Sequence, residues 1–336
     1  MEALVAAARL AEGEDLIRPQ PSQLSENGDD PDLAPAWIAA IMPHDDYLYA
    51  GRTDVHLLAG LQAHHWLVVG VCHACRRLGV RDRLIFDSND QWRVAGRSFP
   101  VDRSLRSELL AALPDAAFQV DDERHAVEHS VESLLPWLEV AVPGFSFVPV
   151  LAPTMEWPRL QELADQLSAT LAQACRNRGW VPGRDVAILI SADAVHYGCE
   201  GWGGGGYQPF GCDAKGRAAA VAQDVTLAQA TLAGPLTDDG LARFIRLVWD
   251  PSHPDYPTYP YRITWCGLYA IPFGLAVAHR LQTALDLPAL SGQLLRYGDS
   301  VRDGRLEVPG TRLGVTAPNT LQHWVGYPAL GYLGSP

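Results

Sequence analysis

The chain has 336 residues, 48% of them hydrophobic and 19% charged, which provides for a sizeable core and is not the composition of a disordered chain. A net charge of -13 argues against nucleic acid or an anionic membrane as partner, because both call for a basic surface. Six cysteines (72, 75, 175, 199, 212 and 266) in a chain this long do not make a disulfide framework, and no basic segment precedes the N-terminal apolar stretch. The expectation is a cytoplasmic protein with reduced thiols.

The first nineteen residues, "MEALVAAARLAEGEDLIRP", read as a helix, and the polar, proline-bearing segment 16–35 reads as a loop. Residues 1–35 are therefore set apart from a single domain over 36–336. Buried strands are predicted at 36–42, 65–71, 83–87, 145–151 and 185–191. Helices are predicted at 102–113, 127–141, 157–178, 214–233 and 237–249, and an apolar helical stretch runs from Cys266 to Leu285 across Pro272. "SGQLLRYGDS" and "RLGVTAP" suggest two closing strands. Strands alternating with helices predict an α/β fold with a central, largely parallel β-sheet flanked by helices. No apolar run reaches membrane-spanning length. The glycine-rich segment 198–211 lacks a lysine and a G-x-G-x-x-G frame, so a phosphate cradle is not supported. The Pro- and Tyr-rich segment 249–263 reads as a stiff loop with aromatic surface.

Three of the buried strands run into imidazoles. The first enters "PHDDY" (His44, Asp45, Asp46, Tyr47), the second "GVCHAC" (His73), and strand 185–191 enters "SADAVHYG" (Asp193, His196). Parallel strands bring their C-terminal ends to one side of a sheet, so these groups can converge on one site. Cys266 sits where a polar loop enters an apolar helix, a place expected to lower the pKa of its thiol. Two rival patterns exist. "CHAC" contains C-x-x-C, but a zinc ribbon needs a second pair, and His73 and Ala74 are not a diagnostic redox pair. "HAVEH", 125–129, spells H-x-x-E-H, which on one helix would put His125 and His129 on a shared face as ligands of a zinc hydrolase.

Taken together and in order, five motifs resemble the Memo family, the protein B component of the AmmeMemoRadiSam gene group. They are "PHDDY", "GVCHA", "EHSVESLLP", "SADAVHYG" and "TWCG", spread over about residues 36–330. The family's fold is similar to that of class III extradiol dioxygenases. The resemblance implies His44, His73 and Cys266 as metal ligands, with His129, Asp193 and His196 as catalytic residues around the same pocket. Asp46, Tyr47 and Glu132, carried by the same motifs, are the implied substrate contacts. Imidazoles with a thiolate suit iron(II), copper or zinc better than magnesium or calcium, and the resemblance implies iron(II) first, with copper or zinc as alternatives. The expected function is a metal-dependent, dioxygenase-like oxidoreductase acting on a small molecule, with His129 or His196 as acid/base. The alternative is a non-catalytic metal-binding or redox scaffold of the Memo type, and a homodimer is left open. The chain also departs from the family pattern. Asp45 and Asp46 stand for Ala and Gly, Ala74 for His, and Cys72 for Ser.

Overall fold

A computed structural model describes residues 1–13, 36–199 and 206–334. In chain order the first elements are α1 (Glu2–Glu12), β1 (Ala39–Met42), α2 (Tyr47–Asp54), β2 (His65–Val71) and β3 (Leu84–Phe86). A small hairpin of β4 (Gln91–Val94) and β5 (Arg97–Pro100) follows, then α3 (Arg103–Ala112), β6 (Phe118–Val120), α4 (Asp122–Ala126) and α5 (Leu135–Ala141). Next come β7 (Ser146–Ala152), α6 (Trp157–Arg178), β8 (Val186–Ser191), β9 (His196–Tyr197) and α7 (Ala214–Thr231). The chain closes with β10 (Gly234–Pro235), α8 (Asp238–Val248), α9 (Ala270–Ala284), β11 (Leu290–Asp299) and β12 (Trp324–Gly334).

The sheet runs β10-β11-β12-β1-β8-β2-β7-β3-β6, with β9 paired to β12. Its centre, β1-β8-β2-β7, is parallel throughout, whereas β12 joins β1 and β3 joins β7 in antiparallel fashion. Each central strand is buried on both faces, which is why it reads as a continuous apolar run. Side chains alternate between two cores. Leu67, Val69 and Val71 pack on the face that carries α6 and α9, while Trp66 and Val68 pack with Trp137 on the other. Helix ends are set by local chemistry. The Asp102 side chain accepts the Leu105 N–H to start α3, and Gly179 closes α6 in the left-handed region at φ 67°.

One glycine matters directly to the candidate site. A Cβ on Gly70 would lie 2.7 Å from both Ser130 Oγ and a Val131 methyl. Its absence lets the segment 128–131 press onto the end of β2. The N-terminal helix packs on the domain, with Leu4 against Gly51 and Glu12 bonded to Arg296 at 2.6 Å. The predicted loop, 16–35, and the last residues of the predicted N-terminal helix lie outside the described residues. No described helix is long and apolar enough to cross a membrane.

Three expectations are corrected. The predicted helix 127–141 is broken: α4 ends at Ala126, a 3-10 turn covers Glu132–Leu134, and α5 begins with Pro136 in its first turn. "RLGVTAP" is not a strand; the sheet is closed instead by the apolar run Trp324–Gly334, whose residues find partners on both β1 and β11. The thiols are not all free. Cys72–Cys75 and Cys199–Cys212 form disulfides, their Cα atoms 5.3 and 6.3 Å apart and so within bridging range, while Cys175 and Cys266 remain free.

Candidate metal centre

Met42, at the end of β1, is paired with Ser191 at the end of β8, so His44 emerges beside Ser191 and Asp193. The His44 backbone N–H donates to Asp193 Oδ1 at 3.0 Å, and its Nδ1 lies 2.8 Å from Ser191 Oγ. The single hydroxyl proton of Ser191 is donated to the Ser130 carbonyl. Ser191 can therefore only accept from His44, which puts the imidazole proton on Nδ1 and a lone pair on Nε2. That Nε2 lies 3.6 Å from Cys266 Sγ and 3.4 Å from Asp193 Oδ2.

His73 follows β2 and is fixed by a carboxylate. Glu128 Oε1 lies 2.7 Å from His73 Nδ1, and Oε2 accepts its backbone N–H at 2.7 Å. A carboxylate held ionised can only accept, so His73 also keeps its proton on Nδ1 and offers Nε2. Burial raises the Glu128 carboxyl, but the hydrogen bonds and charge of His73 outweigh it and hold the group below the ordinary range. Glu128 reaches His73 because the chain turns after α4; the Ser130 hydroxyl, donating to Val71 O at 2.8 Å, anchors that turn on β2.

Cys266 comes from the turn before α9. Its sulfur accepts the Asp193 N–H at 3.1 Å, and the next residue packs so closely that a Cβ on Gly267 would lie 2.4 Å from that of Ala192. One potential ligand atom each from His44, His73 and Cys266 lies within 4.8 Å of the others. The same holds for His73, Glu128 and His129, and for Asp193, His196 and Cys266. A soft sulfur with imidazole nitrogens fits a transition metal, and three such donors leave room for further ligands. The residue groups could bind a metal ion.

Burial sets the titration of the site. It pulls His44 well below its ordinary value, helped by the charges of His73 and His129, and pulls His196 to about 3. Burial raises Asp193, and Asp45 adds to the rise. Cys266 corrects an expectation: burial, then Asp193, raises its thiol well above the ordinary value. It lies ahead of α9 in a 3-10 turn rather than in the helix's first turn, so the helix dipole does not offset burial.

The other anticipated residues are placed as follows. His129 stacks on His73, ring centres 4.8 Å apart, and is 58% exposed at the side chain. His196 Nε2 lies 4.0 Å from Asp193 Oδ2. Asp46 accepts two hydrogen bonds from Thr316, the hydroxyl one at 2.8 Å. The Tyr47 hydroxyl donates to the Ser133 carbonyl at 2.9 Å. Glu132 is exposed and lines a shallow depression with Trp92 and His125. His125 is elsewhere: its Nε2 lies 3.2 Å from the Ile85 carbonyl and its ring packs edge-on against Trp92. His125 and His129 do not share a helix, so the H-x-x-E-H zinc reading loses its geometric basis.

Two residues were missed in the sequence. Glu128 falls within both H-x-x-E-H and "EHSVESLLP", and neither pattern marks it as the group that holds His73. Asp224, on α7, is fully buried and accepts from Val195 N (3.0 Å), Trp265 Nε1 (2.9 Å) and the Tyr297 hydroxyl (2.6 Å). It thereby ties the segments that carry His196 and Cys266. Its only signal was an acid within an alanine-rich helix, "AAAVAQDVTLAQ".

The role of Glu128 is testable. Glu128→Gln retains one acceptor oxygen where the carboxylate serves four donors, His73 N, His73 Nδ1, His129 N and Ser130 N. Metal affinity, measured by competition with a chromogenic chelator, is expected to fall about 10- to 100-fold, the usual cost of losing an outer-shell carboxylate. An unchanged affinity would mean that His73 is not a ligand.

Comparisons with known proteins add a family. Residues 19–231 match the model of the Memo-like protein family. A MEMO1 family protein of Archaeoglobus fulgidus is 28% identical over 162 residues, covering 48% of this chain and 55% of that relative. Those of Methanosarcina barkeri and Methanothermobacter thermautotrophicus are 26% and 27% identical over 162 and 165 residues, or 48% and 47% of this chain and 55% and 53% of theirs. The chain spans about half the length of the curated relatives it matches. The family match ends before Cys266, whose place beside the histidines rests on geometry.

Proposed function

The chain belongs to the Memo-like protein family, and on that premise we propose that it is a metal-dependent, dioxygenase-like oxidoreductase of a small organic molecule. One observation carries this reading. His44 and His73 each have Nδ1 tied to an acceptor, Ser191 and Glu128, which leaves two imidazole lone pairs beside the Cys266 sulfur. Histidine ligands in metal sites are oriented in this way.

His44, His73 and Cys266 would hold the metal, with iron(II) preferred. Bound there, iron(II) supplies one-electron redox chemistry and open coordination positions. The protein's own groups do the rest. His129 lies at the open edge of the site with Nδ1 3.7 Å from Glu128, so its Nε2 is the atom that takes or gives a proton. His196, pulled to about 3, stays neutral at physiological pH and would serve as a hydrogen-bonding group, its Nε2 4.0 Å from Asp193 Oδ2. Asp46 and Tyr47 would line the approach on the His129 side, where the charge of Asp46 is felt at His129, whereas Glu132 faces the depression beside His125.

The test is turnover. Protein loaded anaerobically with iron(II) is incubated with a small-molecule cell extract under ¹⁸O₂, and products are read by mass spectrometry. Iron- and oxygen-dependent product is expected with the wild type and not with His44→Ala. Stoichiometric iron with no product would favour the scaffold reading.

A further inference from the structure

The turn after β2 carries a second functional group, Arg76. The Cys72–Cys75 disulfide closes this turn directly ahead of it. The guanidinium lies over the buried Tyr261 ring, with Cζ 4.7 Å from the ring centre. Its Nη1 is buried and makes no hydrogen bond, and no carboxylate among the described residues forms an ion pair with it. A partly buried cation without a counter-ion is costly, and a buried N–H without an acceptor adds to that cost.

Arg76 shares with His73 the turn that follows β2, and the Tyr261 ring beneath it belongs to the segment that leads into Cys266, five residues on. Its charge also reaches Tyr259 and Tyr269. The Tyr269 hydroxyl is buried beside Thr154, just past the end of β7, and the two make no hydrogen bond to a third group. One cation, polar hydroxyls and tyrosine rings thus border the Cys266 side of the site. One acidic group, Asp193, borders the Cys266 side and already accepts the His44 N–H at 3.0 Å; the others are engaged as well. Asp46 is bound to Thr316, Asp45 accepts from the Tyr327 hydroxyl at 2.5 Å, and Glu128 is spent on His73.

We propose that Arg76 anchors a carboxylate-binding subsite next to the His44–His73–Cys266 centre, so that the substrate is a small organic acid, its apolar body against the tyrosines. This rests on the reading of the centre as the reacting site. A single guanidinium fork matches a carboxylate, with two parallel N–H···O bonds. A phosphate would carry more charge than one arginine offsets. The carboxylate supplies the acceptor that Nη1 lacks and the counter-charge that the guanidinium lacks.

The probes are benzoate, its neutral isostere benzamide, and inorganic phosphate. Binding is followed by saturation-transfer NMR on metal-free protein and by paramagnetic broadening on cobalt(II)-loaded protein. Benzoate is expected to bind at least about tenfold tighter than benzamide, an advantage set by one charge-assisted pair. Arg76→Gln should abolish that preference, and Arg76→Lys, which keeps the charge but not the fork, should retain part of it. Circular dichroism of both variants checks folding, and Arg76→Lys serves if Arg76→Gln does not fold. Cobalt(II) should broaden the benzoate ring signals. Equal binding of benzoate and benzamide, or unchanged benzoate binding in Arg76→Gln, overturns the subsite. Phosphate displacing benzoate at lower concentration than benzoate itself binds overturns the carboxylate assignment. Failure to take up cobalt(II), with Arg76-dependent benzoate binding intact, instead overturns the metal reading and leaves the subsite standing.

Discussion

Cys266→Ala is expected to lower metal affinity by more than about a hundredfold, since an outer-shell partner alone is worth 10–100-fold and the sulfur is a direct donor in the proposed set. Cobalt(II) titration reads the loss in two ways. Wild type should show the near-ultraviolet charge-transfer absorption of a thiolate–cobalt bond, and Cys266→Ala should not. Cys175→Ala is the control, because that free thiol is buried in α6, away from the histidines. The pH dependence supplies an independent sign. Burial and Asp193 raise the Cys266 thiol, so it carries its proton at neutral pH and must release it to bind a metal. His44 is held neutral by burial and releases none. Affinity should therefore climb with pH by up to about tenfold per unit while the thiol is protonated. Cys266→Ala should lose that slope. Identical spectra and affinity in wild type and Cys266→Ala would remove the sulfur from the site.

The residues at strand ends were legible for a physical reason. A run such as "HWLVVGV" must be buried, and burial of a parallel strand fixes which side its last residue faces. His44, His73 and Asp193 therefore share one edge of the sheet before any side chain is placed. Cys266 was legible as a thiol where a polar loop enters an apolar helix, but as a ligand only through the family motif, since it enters on a turn rather than on a strand. What stayed hidden depends on hydrogen bonds between distant segments. Glu128 turns toward His73 only because helix 127–141 does not form, and the pattern gave no reason to break it before Pro136. Asp224 binds groups 29, 41 and 73 residues away, so no local spacing could reveal it. Arg76 looked like one of many arginines until its missing counter-ion could be seen. The Cys72–Cys75 bridge falls on the C-x-x-C, a spacing that allows a bridge without demanding one, whereas nothing in the spacing of Cys199 and Cys212 marks them as within bridging distance.

Asp224 should prove the most sensitive residue outside the ligand set. Asp224→Ala leaves Val195 N, Trp265 Nε1 and the Tyr297 hydroxyl without their acceptor in a site closed to solvent. Each buried orphan costs about 1–3 kcal/mol, so a loss of about 4 kcal/mol in urea unfolding is expected. Asp224→Asn is milder. Its one oxygen can serve either Trp265 or the pair Val195 and Tyr297, and the tyrosine hydroxyl can rotate to accept from the new amide. A loss of about 1–2 kcal/mol follows. The two variants also separate by pH. Burial raises Asp224 from its ordinary 3.8 to about 6, against the pull of its three hydrogen bonds. Folding thus favours the protonated form. The group's contribution is complete below about pH 4 and is withdrawn as pH rises through about 6, a change of roughly 3 kcal/mol. The difference in stability between wild type and Asp224→Asn should therefore shift against the wild type across this window, other groups cancelling. A positioning role demands more than stability. By loosening Trp265 and Val195, Asp224→Ala should also displace Cys266 and His196 and shift the cobalt–thiolate absorption at a pH and urea concentration where the chain is still folded. A stability loss with an unaltered cobalt spectrum would make Asp224 a packing residue only, and the centre would owe its geometry to the strand ends and Glu128 alone.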